Sequence, residues 1–411
     1  MSSVVNVRVA VVGAGAAGLV ASIFAASRGA DVLLIERTAD GGKKILISGG
    51  GRCNILPSAL APERFVTGSP AHLMRGMLRS WPLVAQQEFF ENEVGIPLAL
   101  EEESGKLFPR SNQARDVRDG LLALARSRGV RVQFDTSVTG LEPSAGAWTI
   151  KTDQGDIAAD RVVLATGGLS VPLTGSDGFG LRAAQSLGHR MIDTYPALTP
   201  LLAGEGWHAV LSGVSLNVRL RGRTGGGNPS GLPGKIETSG GFLFTHRGYS
   251  GPAVLDISHL ATTDPGAVIR AQWSPLDAAR WTKEFAAPSS SVLSIVSRHV
   301  PSRLAEQLMA EAAVHHTRRT SDFRRTERTA LVERLTSYVL PWTGDEGYKK
   351  AEVTGGGVAL DEVDPRTLES RRCPGLFLCG EMLDAFGPIG GHNFAWAWST
   401  GRSAGLAASR K

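Results

Sequence analysis

The segment Gly380-Glu381-Met382-Leu383-Asp384 leads through Gly390-Gly391-His392-Asn393-Phe394 into an apolar run carrying Trp396 and Trp398. A glycine pair opening a helix leaves the first N–H groups uncapped, and they offer a partial positive charge to a ligand. Such a terminus stabilises negative charge without titrating, as an electron-accepting ring requires. A second segment, Gly13-Ala14-Gly15-Ala16-Ala17-Gly18, has the spacing of a phosphate-binding turn. Gly13 permits the tight turn, Gly15 lets the backbone approach a pyrophosphate, and Gly18 lets helix and strand pack, while Ala16 and Ala17 begin the helix. Glu36, followed by Arg37, stands about 20 residues further on, where an acid accepts hydrogen bonds from an adenosine ribose and repels a 2′-phosphate.

A third segment chooses between dinucleotides. Lys43-Lys44-Ile45-Leu46-Ile47-Ser48-Gly49-Gly50-Gly51-Arg52-Cys53-Asn54 is basic, then glycine-rich, where a nicotinamide dehydrogenase usually has its next crossover helix. An extended loop is expected here, able to lie along a second phosphate and a flat ring system, and this favours FAD. Lys43, Lys44, Ser48, Gly50, Gly51, Arg52, Cys53 and Asn54 are its candidate contacts. Ser58 follows instead of a second cysteine, so Cys53 forms no redox disulfide; it is either a packing residue or a thiol facing the substrate. Thr166-Gly167-Gly168 ends another strand at the cofactor, and Val138 is included among the contacts. The last strand should deliver Gly380, Glu381 and an acid for the ribityl chain, best matched by Asp384. Gly391, His392, Asn393 and Phe394 would then point their backbone N–H groups at the flavin N1 and C2 carbonyl.

Elements that could position these groups follow from the hydrophobic pattern. Val4 to Val12 reads as a buried strand, Ala16 to Ser27 as an alanine-rich helix ending at Gly29, and Ala30 to Ile35 as a second strand. Asp160 to Ala165 and Gly375 to Cys379 read as strands, and Phe394 to Ala408 as the final helix. The fold class is α/β: a Rossmann-like, doubly wound, mainly parallel sheet binding FAD, interrupted by an inserted β-barrel and helical region. Its expected parts are residues 1–188 and 350–411 for the cofactor domain, 189–275 for the barrel and 276–349 for a helical subdomain.

Within the insertion, Val214 to Arg223, Lys235 to His246 and Ala267 to Trp273 alternate like short strands. Pro275 to Ala287, Ser291 to His299, Ser302 to His316 and Thr326 to Leu340 read as helices. Gly225-Gly226-Gly227-Asn228 lacks the strand and helix of a nucleotide site and is expected to be a mobile hairpin. NAD(P)H would therefore visit only transiently, as a reductant. His246, in the polar stretch Phe244 to Pro252, is the candidate proton donor or substrate-orienting group, against the alternative of a turn histidine bonded to backbone. Thr354-Gly355-Gly356-Gly357 should let backbone approach the flavin ring. The cluster His315, His316, Arg318, Arg319, Arg324, Arg325 and Arg328 reads as a solvated helix connection, and its subdomain is where RNA contact would be sought.

The stretches GAGAAGL, GKKILISGGGRCN, ATGG, FLFTHRGYSGPAVLDIS, AEVTGGGVAL and GEMLDAFGPIGGHNFAWAWSTG, in consistent order from about Val7 to Gly405, resemble those of the YhiN-like flavoproteins. These are also called the BaiN/RdsA family of NAD(P)/FAD-dependent oxidoreductases. The resemblance implies an FAD-binding Rossmann-like domain with an inserted barrel and helical region. It also implies one of several reactions, among them dihydrouridine formation in ribosomal RNA, reduction of steroid-like enones and oxidation of aminoacetone.

Composition bounds the rest. The chain has 411 residues, 42% of them hydrophobic, enough for a substantial core, and a formal charge of +5 that mildly favours anionic partners. No apolar run approaches the roughly 20 residues of a membrane span, and MSSVVNVRVAVVGAG enters a strand pattern without a charged leader, so a cytoplasmic protein is expected. Cys53, Cys373 and Cys379 have no metal-ligand spacing. The expectation is an FAD-dependent oxidoreductase: NAD(P)H reduces the flavin, which passes hydride from N5 to an activated C=C bond, with Cys53 or His246 protonating the product. The substrate is a small molecule or RNA, with uracil in structured RNA foremost. An oxygen-using oxidase of a small amine such as aminoacetone, or a non-catalytic FAD-containing binding protein, are the alternatives.

Overall fold

The computed structural model describes residues 5–144, 146–204, 209–225, 234–287 and 289–410. They divide into two compact units, residues 1–195 with 352–411, and residues 196–351.

The first unit is built on a mainly parallel sheet. Val5–Val12 lies between Val32–Ile35 and Ile157–Leu164, parallel to both, and Arg131–Gln133 extends the sheet beyond Val32–Ile35. Leu376–Leu378 pairs in parallel with the C-terminal half of Ile157–Leu164, while the antiparallel hairpin Val138–Ser144 and Ala147–Thr152 pairs with its N-terminal half. The run VRVAVV is fully interior from Val9 to Val12, as a strand covered on both faces must be. The helix Ala16–Ala26 follows the first strand, and Gly29 (φ +77°) ends the turn after it.

The final helix, His392–Ala408, packs against Ala16–Ala26 with almost no side chain between them. A Cβ at Gly401 would strike the Ala17 carbonyl, and one at Gly405 the Ala21 carbonyl. Small residues four apart thus let two backbones touch, which fixes where both helices begin. The three glycines Gly355 to Gly357 lie in the buried strand Val353–Val358, where Gly355 accommodates the Tyr195 ring and Gly357 the Met382 carbonyl. Their expected approach to a flavin ring is replaced by packing.

The second unit holds a seven-stranded antiparallel sheet whose spatial order is Tyr338–Val339, Val268–Gln272, Ser215–Arg223, Lys235–Phe244, Gly248–Ser250, Leu201–Ala203, Trp342–Asp345. Among the described residues its two outer strands do not pair with each other, but they follow one another in the chain with only Leu340 and Pro341 between them, so the sheet curls to bring its two edges together. The helix Pro252–Thr263 covers one face, with Ile257 and Leu260 over Gly222. Helices Ala278–Glu284, Val292–Val296, Ser302–Glu311 and Arg325–Thr336 share one hydrophobic cluster with this sheet, through Trp273, Trp281, Leu304 and Leu331 among others. Sheet and helices therefore form one body. Most of the expected mobile hairpin at Gly225 to Asn228 lies outside the described residues.

Candidate functional site

A cavity of about 730 Å³ runs through the first unit, within the range of about 300–1,000 Å³ usual for ligand sites. Nineteen of the residues singled out in the sequence line it: Gly13, Gly15, Ala16, Ala17, Glu36, Arg37, Lys43, Lys44, Ser48, Gly50, Asn54, Val138, Thr166, Gly167, Gly380, Glu381, Gly391, Asn393 and Phe394.

At one end, Gly13 (φ +101°) turns the chain from strand into helix; a Cβ there would stand 2.6 Å from the Ala165 carbonyl oxygen. A Cβ at Gly15, by contrast, would meet nothing and project into open space, the signature of a position kept bare for a ligand. Gly18 is off the cavity and packs on the Gly13 carbonyl, the close helix–strand contact expected of it. Glu36 is pinned from three sides. It accepts from the Ala14 N–H at 2.8 Å and from the Thr38 N–H and hydroxyl at 2.9 and 2.7 Å, which orients the carboxylate at the cavity wall. Arg37 is paired with Asp177 at 2.6 Å.

The cavity also carries one half-buried network. Lys44 Nζ donates to Ser170 Oγ at 2.6 Å and to Glu381 Oε2 at 2.7 Å, while Glu381 Oε1 accepts from Ser170 Oγ at 2.8 Å and from the Thr354 N–H at 3.0 Å. Gly168 is not a lining residue; a side chain there would collide with Thr354 and Glu381, so its role is to let this network close. Glu381, rather than Asp384, is the acid at the cavity. Asp384 is buried away from it, accepting from Ser69 Oγ at 2.7 Å and Thr67 Oγ1 at 3.0 Å, and burial pushes its carboxyl up to about 6.

At the other end, the expected extended loop is instead helical at Lys43–Ile47 and tightly turned at Ser48–Gly51, where Gly49, Gly50 and Gly51 have φ of +56°, +68° and +85°. This left-handed run turns Cys53 inward. The Cys53 side chain is fully buried and off the cavity, and burial raises its thiol to about 12. It is a packing residue, and the expectation of a substrate-facing proton donor is withdrawn. Gly51 and Arg52 also leave the lining; Arg52 stacks over Phe108 at 4.1 Å and pairs with Glu101 at 2.9 Å. Asn54 stays, its carboxamide accepting from the Gly391 N–H and donating to the Leu56 carbonyl, both at 3.1 Å, in the orientation that satisfies both groups.

Gly391 (φ +90°) begins the final helix without a side-chain cap. Asn393 and Phe394 line the cavity, and Phe394 stacks on Trp398 with ring centroids 5.2 Å apart. Trp396 and Trp398 give their indole N–H groups to the Gly380 and Ile55 carbonyls, at 3.0 and 3.1 Å. His392 points away from the cavity onto Phe65, and burial first, then Arg64, lowers its ring to about 4. His246 belongs to the second unit. It is exposed in a hairpin turn held by Thr245 N–H to the Gly248 carbonyl (2.8 Å) and is not among the residues lining the cavity of the first unit.

Lys106 was not foreseen. It stands on the strand Lys106–Pro109, half-buried, and lines the cavity with its Cε 3.5 Å from where a Gly390 Cβ would lie. Its register partner Glu101 is taken by Arg52, and Lys106 itself forms no ion pair among the described residues. Nothing in the local pattern around KLFP distinguishes it from a surface strand lysine.

These features fit an elongated dinucleotide. The Gly15 cradle would hold its diphosphate, Glu36 a ribose, and the uncapped Gly391 terminus a ring that gains charge. Thr166 lines the same cavity, while its hydroxyl is buried toward Gly180 and has no partner among the described residues. Fold and site together define a flavin-dependent oxidoreductase of Rossmann type. The chain belongs to the family of the HI0933-like protein Rossmann domain, whose model matches residues 7–407. It is 32% identical over 404 residues to the ribosomal RNA dihydrouridine synthase of Escherichia coli K12, covering 95% of each chain. It is 31% identical to the 3-dehydro-bile acid delta(4,6)-reductase of Clostridium scindens, covering 98% of this chain and 99% of that one. Among solved structures, the 3-ketosteroid-delta4-(5alpha)-dehydrogenase of Rhodococcus jostii RHA1 shares the fold at TM-score 0.53 and 17% identity, covering 100% of this chain and 98% of that chain. No helix among the described residues is long and apolar enough to cross a membrane.

Proposed function

We propose that the protein holds FAD in the cavity of its first unit, accepts reducing equivalents from NAD(P)H, and saturates a carbon–carbon double bond conjugated to a carbonyl, with uracil in ribosomal RNA as the substrate. One observation carries this reading: a single cavity is lined by the starts of two uncapped helices, at Gly15–Ala17 and at Gly391–Phe394. A ligand with a diphosphate at one part and an electron-accepting ring at another uses both. The names of the two full-length relatives support the reaction class, since both describe saturation of a double bond.

Bound FAD would supply hydride transfer, and the chain's own groups do the rest. Glu36 and the Gly15 turn bind the adenosine and diphosphate. The Lys44–Glu381–Ser170 network fixes the backbone between the two helix starts. The Gly391 terminus would hold negative charge at the ring end, and Lys106, a lining residue whose Cε lies 3.5 Å from where a Gly390 Cβ would be, would be the group to hold a proton there. NAD(P)H needs no second dinucleotide site if it binds and leaves before the substrate.

Stopped-flow reduction of the purified yellow protein by NADH and by NADPH, followed by reoxidation with and without ribosomal RNA, tests this. Nicotinamide should bleach the flavin, and RNA should speed its return with dihydrouridine appearing in the nucleoside digest. Peroxide formation from an amine without nicotinamide would instead establish the oxidase.

A further inference from the structure

The sequence points RNA contact to the helical subdomain, whose basic cluster reads as a solvated connection, and three of that cluster's arginines are held within their own fold. Arg318 pairs with Glu327 at 2.7 Å, Arg319 donates to the Ser289 carbonyl, and Arg328 donates to the Phe323 carbonyl at 3.3 Å while lying over its ring. A different surface of the same unit has the opposite character.

On the strand Ser215–Arg223, alternate residues point to opposite faces. Val218, Leu220 and Gly222 face the core, while Asn217, Arg219, Arg221 and Arg223 are exposed. The register sets Arg223 opposite Lys235, Arg221 opposite Glu237 and Arg270, and Arg219 opposite Ser239 and Gln272. Three adjacent strands thus present five cations, Arg219, Arg221, Arg223, Lys235 and Arg270, against one carboxylate, Glu237. Glu237 is spent on Arg221 at 2.7 Å and Arg219 at 3.5 Å, whereas Arg223 and Lys235 have no ion pair among the described residues. Like charges set side by side on a sheet are destabilising, so the arrangement works against the fold and needs another reason.

Geometry supplies one. Successive outward positions on a strand lie about 6.8 Å apart and neighbouring strands about 4.8 Å apart, so this grid offers cations at the short intervals of a phosphodiester backbone. Beside it lies a depression of about 340 Å³, lined by Asn217, Arg219, Ser239, Gly240, Gln272 and Ser274. The Asn217 carboxamide has no hydrogen-bond partner among the described residues, leaving both its donor and acceptor for the edge of an unstacked base.

Resting on the reading of RNA as substrate, we propose that this sheet face, and not the 315–328 cluster, is the RNA-binding surface: the arginine row takes the phosphates of a single-stranded segment and the adjoining depression receives one base. The test is binding of a ribosomal RNA fragment to the holoenzyme across a salt series. The triple variant Arg219→Gln, Arg221→Gln, Arg223→Gln should bind at least about tenfold more weakly and lower the slope of log affinity against log salt by about 2, as three lost single-strand phosphate contacts require. Because these side chains are exposed and their mutual repulsion is removed, its melting temperature should be no lower than that of the wild type, and flavin reduction by nicotinamide should be unchanged. Glu237→Gln should tighten binding about two- to fivefold, a gain that no folding defect can imitate. Arg324→Gln with Arg325→Gln should leave binding unchanged.

Wild-type affinity and slope in the triple variant overturn the proposal, as does retention of the protein on anionic phospholipid vesicles with no binding to RNA. Wild-type protein that ignores RNA altogether sinks both this surface and the proposed substrate. RNA held by the sheet face with no dihydrouridine formed sinks the substrate alone.

Discussion

The two helix starts that line the cavity are alike in charge and unlike in construction. At Gly15 the backbone is in an ordinary extended conformation (φ −79°) and a Cβ would touch nothing. At Gly391 the backbone is left-handed, and a Cβ would stand 2.6 Å from the Leu56 carbonyl carbon and 2.8 Å from the Pro57 nitrogen. The first terminus leaves open space in the cavity; the second is closed in by the protein's own backbone. On the proposed reading a local motif would make the diphosphate end, whereas the ring end would exist only once residues 54–57 have been folded against residue 391.

Substituting each glycine by alanine separates the two cases. Gly391→Ala has to carry both left-handed strain and a collision with rigid backbone, a loss of about 4 kcal/mol in unfolding free energy that calorimetry should register with or without flavin. An unaltered melting temperature would show that the Asn54–Pro57 wall yields, and the contrast between the termini would disappear.

The next largest effect concerns acid. His392, the first residue of the second helix, is held neutral by burial, with its ring lowered to about 4. A histidine depressed on folding contributes stability that is present above its ordinary value near 6.5 and is lost as pH falls through about 4. Between pH 6.5 and 4 the wild type should therefore lose about 3 kcal/mol more than His392→Leu, read from denaturant midpoints across the series. The Gly15 terminus carries no titrating residue of its own, so parallel pH profiles for the two proteins would remove His392 from the account.

Gly15→Ala should do the reverse of Gly391→Ala. With space for the methyl and no strained φ, the apoprotein should melt as before, yet FAD affinity should fall about tenfold to a hundredfold because the methyl occupies the diphosphate cradle. Fluorescence titration of flavin into apoprotein measures it. Full affinity in this variant would mean that the cradle binds nothing.

How far the sequence revealed the site follows the same division. Gly13, Gly15, Gly18 and Glu36 could be assigned because strand, turn, helix and acid lie within one short stretch and each residue's job is set by its neighbours in the chain. Glu381 and Asp384 are three residues apart, and nothing nearby says which meets the cavity; Thr67 and Ser69, more than three hundred residues away, claim Asp384. His246 stands out because its stretch is polar, and Thr245 and Gly248 use part of that polarity to hold the turn that carries it.

Cys53 is the smallest expected effect and the sharpest check on the ring end. It sits where the left-handed turn after Gly51 feeds the Asn54–Pro57 wall, its own φ is +59°, and its N–H donates to the Ser48 carbonyl at 3.0 Å. A thiol raised to about 12 holds its proton across the physiological range and, being off the cavity, has no reacting atom to give it to. Cys53→Ala should then cost about 1 kcal/mol of stability from the small void, with flavin content, nicotinamide reduction and product protonation unaltered. A loss of turnover at full flavin content would reverse this: it would mean that the wall is part of the chemistry, and that the second helix start is completed by a reacting side chain rather than by packing alone.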